Sequence, residues 1–378
     1  MIVAGESSGE LYGSLLATAL RSVWPETRIV GIGGDRMKDA GVELLSGISS
    51  ALGLTETLCS LKKVRESYRR GVKALTEYSP DVLVLIDYPE FNFRLAKVAK
   101  VRGIKVLYYV SPQVWAWRRG RVKTMGEIAD RVAVVLPFEE DIYKNAGIPC
   151  EFVGHPVMEE IEEYERKAHG PESGSRKPEG QIQSPVIALL PGSRPHELRT
   201  LLPLFIDVVR AMKGEFTGSR FVLPLAPNIE TERFRPSLAL LEREGVAFIK
   251  GDAVKALASS DIAVIASGTA TLQAALVGVP TVVVYKVSPL TYFLAKRILK
   301  VKYISLVNLI AGREVIPEFI QHRANKENIV KQCRKILYDE TYRTSMVSAC
   351  RSIRDFFFGK RPSRRVAEMI GEMAEWKA

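Results

Sequence analysis

Histidine and cysteine are scarce, with four of each in 378 residues. Cys59, Cys150, Cys333 and Cys350 are widely spaced and form no CxxC pair, which excludes a disulfide framework or zinc ribbon and reads as reduced thiols. His155, His169, His196 and His322 are scattered, so no metal ligand set is expected. Long apolar runs are missing too. The longest, such as 82–86 and 132–136, fall far short of the ~18 residues that cross a bilayer. The N-terminus does not read as a signal peptide, because it has no basic start and Glu6 interrupts it. No lysine stands where a Walker loop needs one, and no complete GxGxxG follows a strand with an acid downstream, which argues against a nicotinamide enzyme. No aromatic RNA-binding signature is present, and nucleic acid is not an expected partner.

What is there is an ordinary globular composition, 47% apolar and 26% charged, in a chain long enough for two cores. The net charge of +11 points to anionic partners, and part of it is clustered. Lys62, Lys63, Arg65, Arg69, Arg70 and Lys73 follow directly on Leu52, Leu54, Leu58 and Leu61. That combination suits a surface resting on anionic lipid headgroups, or a solvated helix face beneath a hydrophobic loop. The segment 292–303 (YFLAKRILKVKY) repeats it.

The chain restarts in its middle. Residues 1–9 (MIVAGESSG) are a short strand breaking into a small-residue turn, and 186–197 (VIALLPGSRPHE) repeat that design. Apolar strands at 28–32, 81–86, 104–110, 131–136 and 150–153 alternate with helical patterns such as 61–78 and 91–102. A second series lies near 186–190, 219–225, 246–249, 261–265 and 280–285. Near-continuous apolar strands between helices predict α/β architecture, with two Rossmann-like domains on parallel sheets facing a cleft. The boundaries read as a first domain at 1–164, a polar linker at 165–185, a second domain at 186–340 and helices at 341–378 that pack back.

Four loops can carry chemistry. Gly192-Ser193-Arg194 closes a strand and opens a helix, where backbone N–H groups and the arginine suit a diphosphate; the alternative is a plain turn with a surface arginine. Ser267, Gly268, Thr269 and Thr271 form a second small-residue turn that suits a phosphate, or simply a capped helix start. Asp87 follows an apolar strand and reads either as a general base or as the N-cap of the next helix. The run 108–117 (YYVSPQVWAW) holds Trp115 and Trp117. It is core, or it lines an acceptor groove beside Arg118, Arg119 and Arg121.

Taken in order, AGESSGE (4–10), GIGGDRM (31–37), IDYPEFN (86–92), YYVSPQVWAWRRGR (108–121), PFEEDIY (137–143), FVGHP (152–156), LLPGSR (189–194), ASGTATLQAAL (266–276) and SLVNLIAGREVIPEFIQ (305–321) resemble the lipid-A-disaccharide synthases. These are inverting GT-B glycosyltransferases of Gram-negative bacteria. The resemblance implies a peripheral enzyme on the cytoplasmic face of the inner membrane, with no cofactor or metal. It would join UDP-2,3-diacylglucosamine to 2,3-diacylglucosamine 1-phosphate (lipid X) and release UDP. It implies catalytic roles for Asp87, Glu6 and Asn308, a cleft wall at Ser8, and a donor pocket bordered by Glu318, Gln321 and Gln273. The basic segment would dock on anionic inner-membrane lipids, and a homodimer stays open. Other readings are a related UDP-sugar enzyme, such as an epimerase or a transferase with another lipid acceptor, or a non-catalytic UDP-sugar or lipid binder. The sequence departs from the family at Glu10 (usually Asp, in a tight turn), Gln273 (usually Glu, on the ribose) and Val307 (usually Pro, in a loop). Its first strand is also short, which an upstream start would explain.

Overall fold

The computed structural model describes residues 1–5, 7–47, 58–115, 120–168, 182, 184–226, 229–298 and 301–376. They divide into two units, Met1–Pro156 with Gly359–Ala378, and Val157–Phe358.

The first unit holds seven strands: β1 (Ile2–Ala4), β2 (Val30–Gly33), β3 (Glu43–Gly47), β4 (Val82–Ile86), β5 (Lys105–Tyr109), β6 (Arg131–Val134) and β7 (Cys150–Phe152). They form one parallel sheet in the order β3-β2-β1-β4-β5-β6-β7. Strand β4 is buried along its whole length, as its unbroken VLVLI sequence predicts for a strand covered on both faces. The second unit has six: β8 (Val186–Leu190), β9 (Arg220–Leu225), β10 (Val246–Lys250), β11 (Ile262–Ala266), β12 (Thr281–Tyr285) and β13 (Glu318–Ile320). Their order is β10-β9-β8-β11-β12-β13, again all parallel. In each sheet the winding reverses once, at β1/β4 and at β8/β11. Loops leaving neighbouring strands there part in opposite directions and open a crevice at the strand carboxyl ends.

The expected boundaries need correction. Residue 164 lies inside the helix Val157–Ala168, which belongs with the second unit, where it packs on the helix Thr269–Val277. The reading of 165–185 as a linker therefore starts too early; 169–181 and 183 lie outside the described residues. The segment 341–378 is not one body either. Helix Glu340–Asp355 stays with the second unit, whereas Pro362–Ala374 buries Val366, Ala367, Met369 and Ile370 in the first and packs on the helix Ser7–Val23. Arg365 fastens it by pairing with Glu151 at 2.6 Å, while Glu372 pairs with both Arg365 and Arg131.

Candidate active site

In the first unit the β1/β4 crevice is bounded by the turn after Ala4 and by Asp87. The alternative of an N-cap at Asp87 does not hold: helix Pro89–Val101 has Tyr88 at that position, with no side-chain cap. Asp87 and Tyr88 are both left-handed, at φ 49° and 46°, a conformation that costs an ordinary residue of order 1–3 kcal/mol and needs outside support. The support is visible. The fully buried Asn92 donates its amide to the carbonyls of Ile86 (3.2 Å) and Asp87 (2.7 Å), and the Tyr108 hydroxyl donates to the Asp87 carbonyl at 2.6 Å. Burial and the Asp87 charge push the Tyr108 phenol well above its ordinary pKa, which keeps it a donor. Opposite, a Cβ on Gly5 would stand 2.1 Å from the Tyr88 ring, so only glycine lets the two turns approach. The main chain is thus fixed from three sides, and the half-buried Asp87 carboxylate stands at the crevice. Ser8 is half-buried in the first turn of Ser7–Val23. Glu6 lies outside the described residues. Glu10 is not in a tight turn, as expected, but in that helix; its carboxylate accepts from Arg36 N at 2.9 Å, at the start of helix Asp35–Asp39.

The second crevice lies between the exits of β8 and β11. Gly192 is left-handed at φ 99°. The Ser193 and Arg194 N–H groups, expected to face an anion, both donate to the buried Glu197 carboxylate at 3.0 and 3.1 Å. That leaves the helix dipole and the half-exposed Arg194 guanidinium, 3.8 Å from Glu197, as the positive features of the turn. Tyr285, at the end of β12, has its phenol pKa raised by burial and by Glu197. At the other exit, Gly268 caps helix Thr269–Val277 with no side-chain cap. Ser267 donates to Ile304 O at 2.9 Å and Thr271 back to Gly268 O at 2.8 Å, so both hydroxyls shape the turn. Gln273 is buried in the middle of that helix and donates its amide to Glu160 at 2.8 Å.

Asn308, Glu318 and Gln321 form one interlocked support. Asn308 Oδ1 accepts from Val315 N and Ile316 N, while Nδ2 donates to Ile316 O and Glu318, all at 2.7–3.0 Å. Glu318 also accepts from Ile304 N, Ser305 N and Ser305 Oγ. Gln321, left-handed at φ 55°, exchanges two bonds with the Val287 backbone. Val307 is buried in the first turn of helix Leu306–Ala311 rather than in a freed loop. These side chains order the loop beyond Ser267, and the Asn308 amide is saturated in doing so.

The lipid-A-disaccharide synthetase family profile matches residues 1–366. The chain is 40% identical to the lipid-A-disaccharide synthase of Trichlorobacter lovleyi over 99% of its own length and 97% of the relative's. It is 39% identical to that of Myxococcus xanthus, with the same coverage. The chain belongs to the lipid-A-disaccharide synthase family. Members of this family are glycosyltransferases, and the fold agrees. A Staphylococcus aureus MnaA–UDP structure superposes with a TM-score of 0.69 at 13% identity, over all of this chain and 97% of that one. Acinetobacter baumannii MurG does so at 0.55 and 12%, over 98% of each. Such identities support the two-domain GT-B fold alone.

Within this synthase-family chain, sequence reasoning missed Asn92, Glu197 and above all Glu139, each inside a quoted or adjoining motif. Glu197 stands at the third helical position, where a capping pattern could have revealed it, while Asn92 and Glu139 are marked by burial rather than by pattern. Glu139 is 1% exposed and accepts from Trp115 Nε1 (3.1 Å), Ser111 Oγ (3.2 Å) and Leu136 N (3.1 Å). Burial pushes its carboxyl up to about 7 against those bonds. Trp115 is half-buried. Trp117, Arg118 and Arg119 lie outside the described residues. Arg121 does not offer loose charge beside the loop: it pairs with Glu90 and covers the Phe93 ring. Lys62, Lys63, Arg65, Arg69, Arg70 and Lys73 are exposed on helix Leu58–Glu77; Arg70 pairs with Glu66, and Lys73 with Glu77 at 2.8 Å. Leu52 and Leu54 lie outside the described residues, as do the side chains of Leu58 and Leu61. Among the described residues no helix is long and apolar enough to cross a membrane, and no group of three His, Cys, Asp or Glu could hold a metal.

Proposed function

We propose that the chain joins UDP-2,3-diacylglucosamine to 2,3-diacylglucosamine 1-phosphate, giving the β-linked disaccharide 1-phosphate and UDP, with Asp87 as general base. The observation that carries the base assignment is the strained, doubly supported turn that holds Asp87 at the switch point of the first sheet. Asp87 takes the proton of the acceptor's primary hydroxyl as its oxygen attacks the donor's anomeric carbon. The bond from that carbon to the diphosphate breaks, and UDP leaves with its electron pair. Arg194 and the start of helix Thr269–Val277 stabilise the leaving diphosphate without a metal. Gly192, Ser193, Ser267, Gly268 and Thr269 let the backbone approach it. Asn308, Glu318 and Gln321 support that pocket from behind. The basic face of helix Leu58–Glu77 is suited to anionic lipid at the inner leaflet.

The test is turnover by the purified chain with the donor, with and without the acceptor, in EDTA. Acceptor-dependent UDP release with a disaccharide phosphate product is expected, and D87N should lose transfer while retaining UDP binding. UDP release or an isomerised sugar without acceptor would overturn the transferase reading. Full activity in D87N would overturn the base.

A further inference from the structure

Strands β4 and β5 are neighbours, and the chain leaves both through left-handed residues. After β4 these are Asp87 and Tyr88; after β5 it is Val110, at φ 60°. A β-branched residue is a genuine outlier there, and such strain persists only where the surroundings over-determine it. At the first exit Asn92 and Tyr108 supply the constraint. At the second, the next residue is Ser111, and its hydroxyl is bonded to Glu139. The same carboxylate oxygen takes the Trp115 indole N–H, and the other oxygen takes the Leu136 N–H at the exit of β6. Phe138, just before Glu139, meets the Trp115 ring edge-on at 5.3 Å. One buried carboxyl thus ties both ends of the segment Ser111–Trp115 to the neighbouring strand exit.

A carboxylate is a poor choice for mere filling. Burying it is costly, and an apolar residue would pack as well. What it provides that an apolar residue lacks is two acceptor atoms able to take three donors from two loops at once. Trp115 has its polar edge fixed inward and remains half-buried, so the bond to Glu139 sets which part of the ring faces outward.

We infer that Glu139 is a positioning residue: it sets the segment Ser111–Trp115, and through Trp115 the surface that receives the lipid acceptor. The acceptor assignment rests on the function proposed above; the positioning of the segment does not.

E139Q keeps the shape but turns one acceptor atom into a donor, so one of the three bonded donors must lose its partner. In the full chain it should raise the acceptor KM by about tenfold, the scale of one lost buried hydrogen bond, with kcat and donor KM nearly unchanged. W115F removes the indole donor together with part of the ring surface and should act in the same direction. The double variant should fall short of the product of the two single effects, because the two residues share a bond. An unchanged acceptor KM in E139Q, or an equal rise in donor KM, would overturn the inference. Amide hydrogen exchange at Ser111, Gln113, Val114 and Trp115 in ligand-free protein reads the positioning without turnover. Faster exchange in E139Q is expected, and unchanged exchange overturns the role. A wild-type chain that forms no disaccharide defeats the proposed function, and the exchange rates still decide the positioning.

Discussion

Tyr108 donates its hydroxyl hydrogen to the Asp87 carbonyl at 2.6 Å, from near the end of the neighbouring strand. With the Asn92 amide on the same oxygen at 2.7 Å, both lone pairs of that carbonyl are used. The backbone of the candidate base is therefore held in place by two residues that need not touch substrate.

Removing either support should let the strained turn relax and move the carboxylate. N92A is expected to lower kcat by about 100-fold, the effect of a displacement near 1 Å, and Y108F by less, because Asn92 makes two bonds to the turn and Tyr108 one. UDP affinity should stay near wild type in both. Steady-state kinetics with UDP titration checks this, and wild-type kcat in N92A would contradict it.

Gly192 should not accept a side chain. A Cβ there would lie 2.1 Å from the Glu197 carboxylate, at φ 99°. G192A is expected to cost about 1–3 kcal/mol in urea unfolding and to weaken UDP binding, since the turn and its carboxylate must move apart.

Gln273 matters through Glu160, its partner at 2.8 Å. Q273E, the residue usual in the family, would set two carboxylates against each other and raise the pKa of one in the folded state. A raised carboxyl favours folding at low pH and loses that contribution as pH rises through it. Q273E should therefore be markedly less stable at pH 8 than at pH 5, and adding E160Q should restore it. Thermal melts at the two pH values decide the point.

Asn308 is expected to act on stability first. N308D would turn the amide that donates to Ile316 O and Glu318 toward them as an oxygen, costing about 2–4 kcal/mol. A folded N308D with wild-type stability and lost activity would instead give Asn308 a direct role in the reaction.

Glu139 gives the fold a pH dependence of known sign. Its folded pKa, about 7, lies above the ordinary 4.5, so the native state holds a proton that the unfolded chain releases. Its contribution is full below about 4.5 and is lost as pH rises through about 7. E139Q, neutral throughout, should flatten that loss in urea unfolding curves collected across the range.

Much of the fold was legible because it is written locally. The unbroken apolar run of β4 and the restart at β8 gave strands, and the glycine and serine turns after them gave the loops at both switch points. Strand β3 was not legible: Glu43–Gly47 is half-exposed and has no repeating apolar pattern. Strand β13 has only three residues. The helix Pro362–Ala374 has an apolar face in the sequence, but such a face does not say which unit it covers.

The sequence by itself determined where strands end and which small, charged and hydroxyl residues stand at those ends, because backbone preference and periodicity act over a few residues. Only the tertiary structure decided what each of them binds. Glu197 is the local exception: it fills the N–H groups that looked ready for an anion from three and four residues along the same helix start. Gln273 faces Glu160, and Glu139 is taken out of water beside Trp115 and Ser111. Those choices depend on distances of about 3 Å between segments far apart in the chain, and no local pattern encodes them.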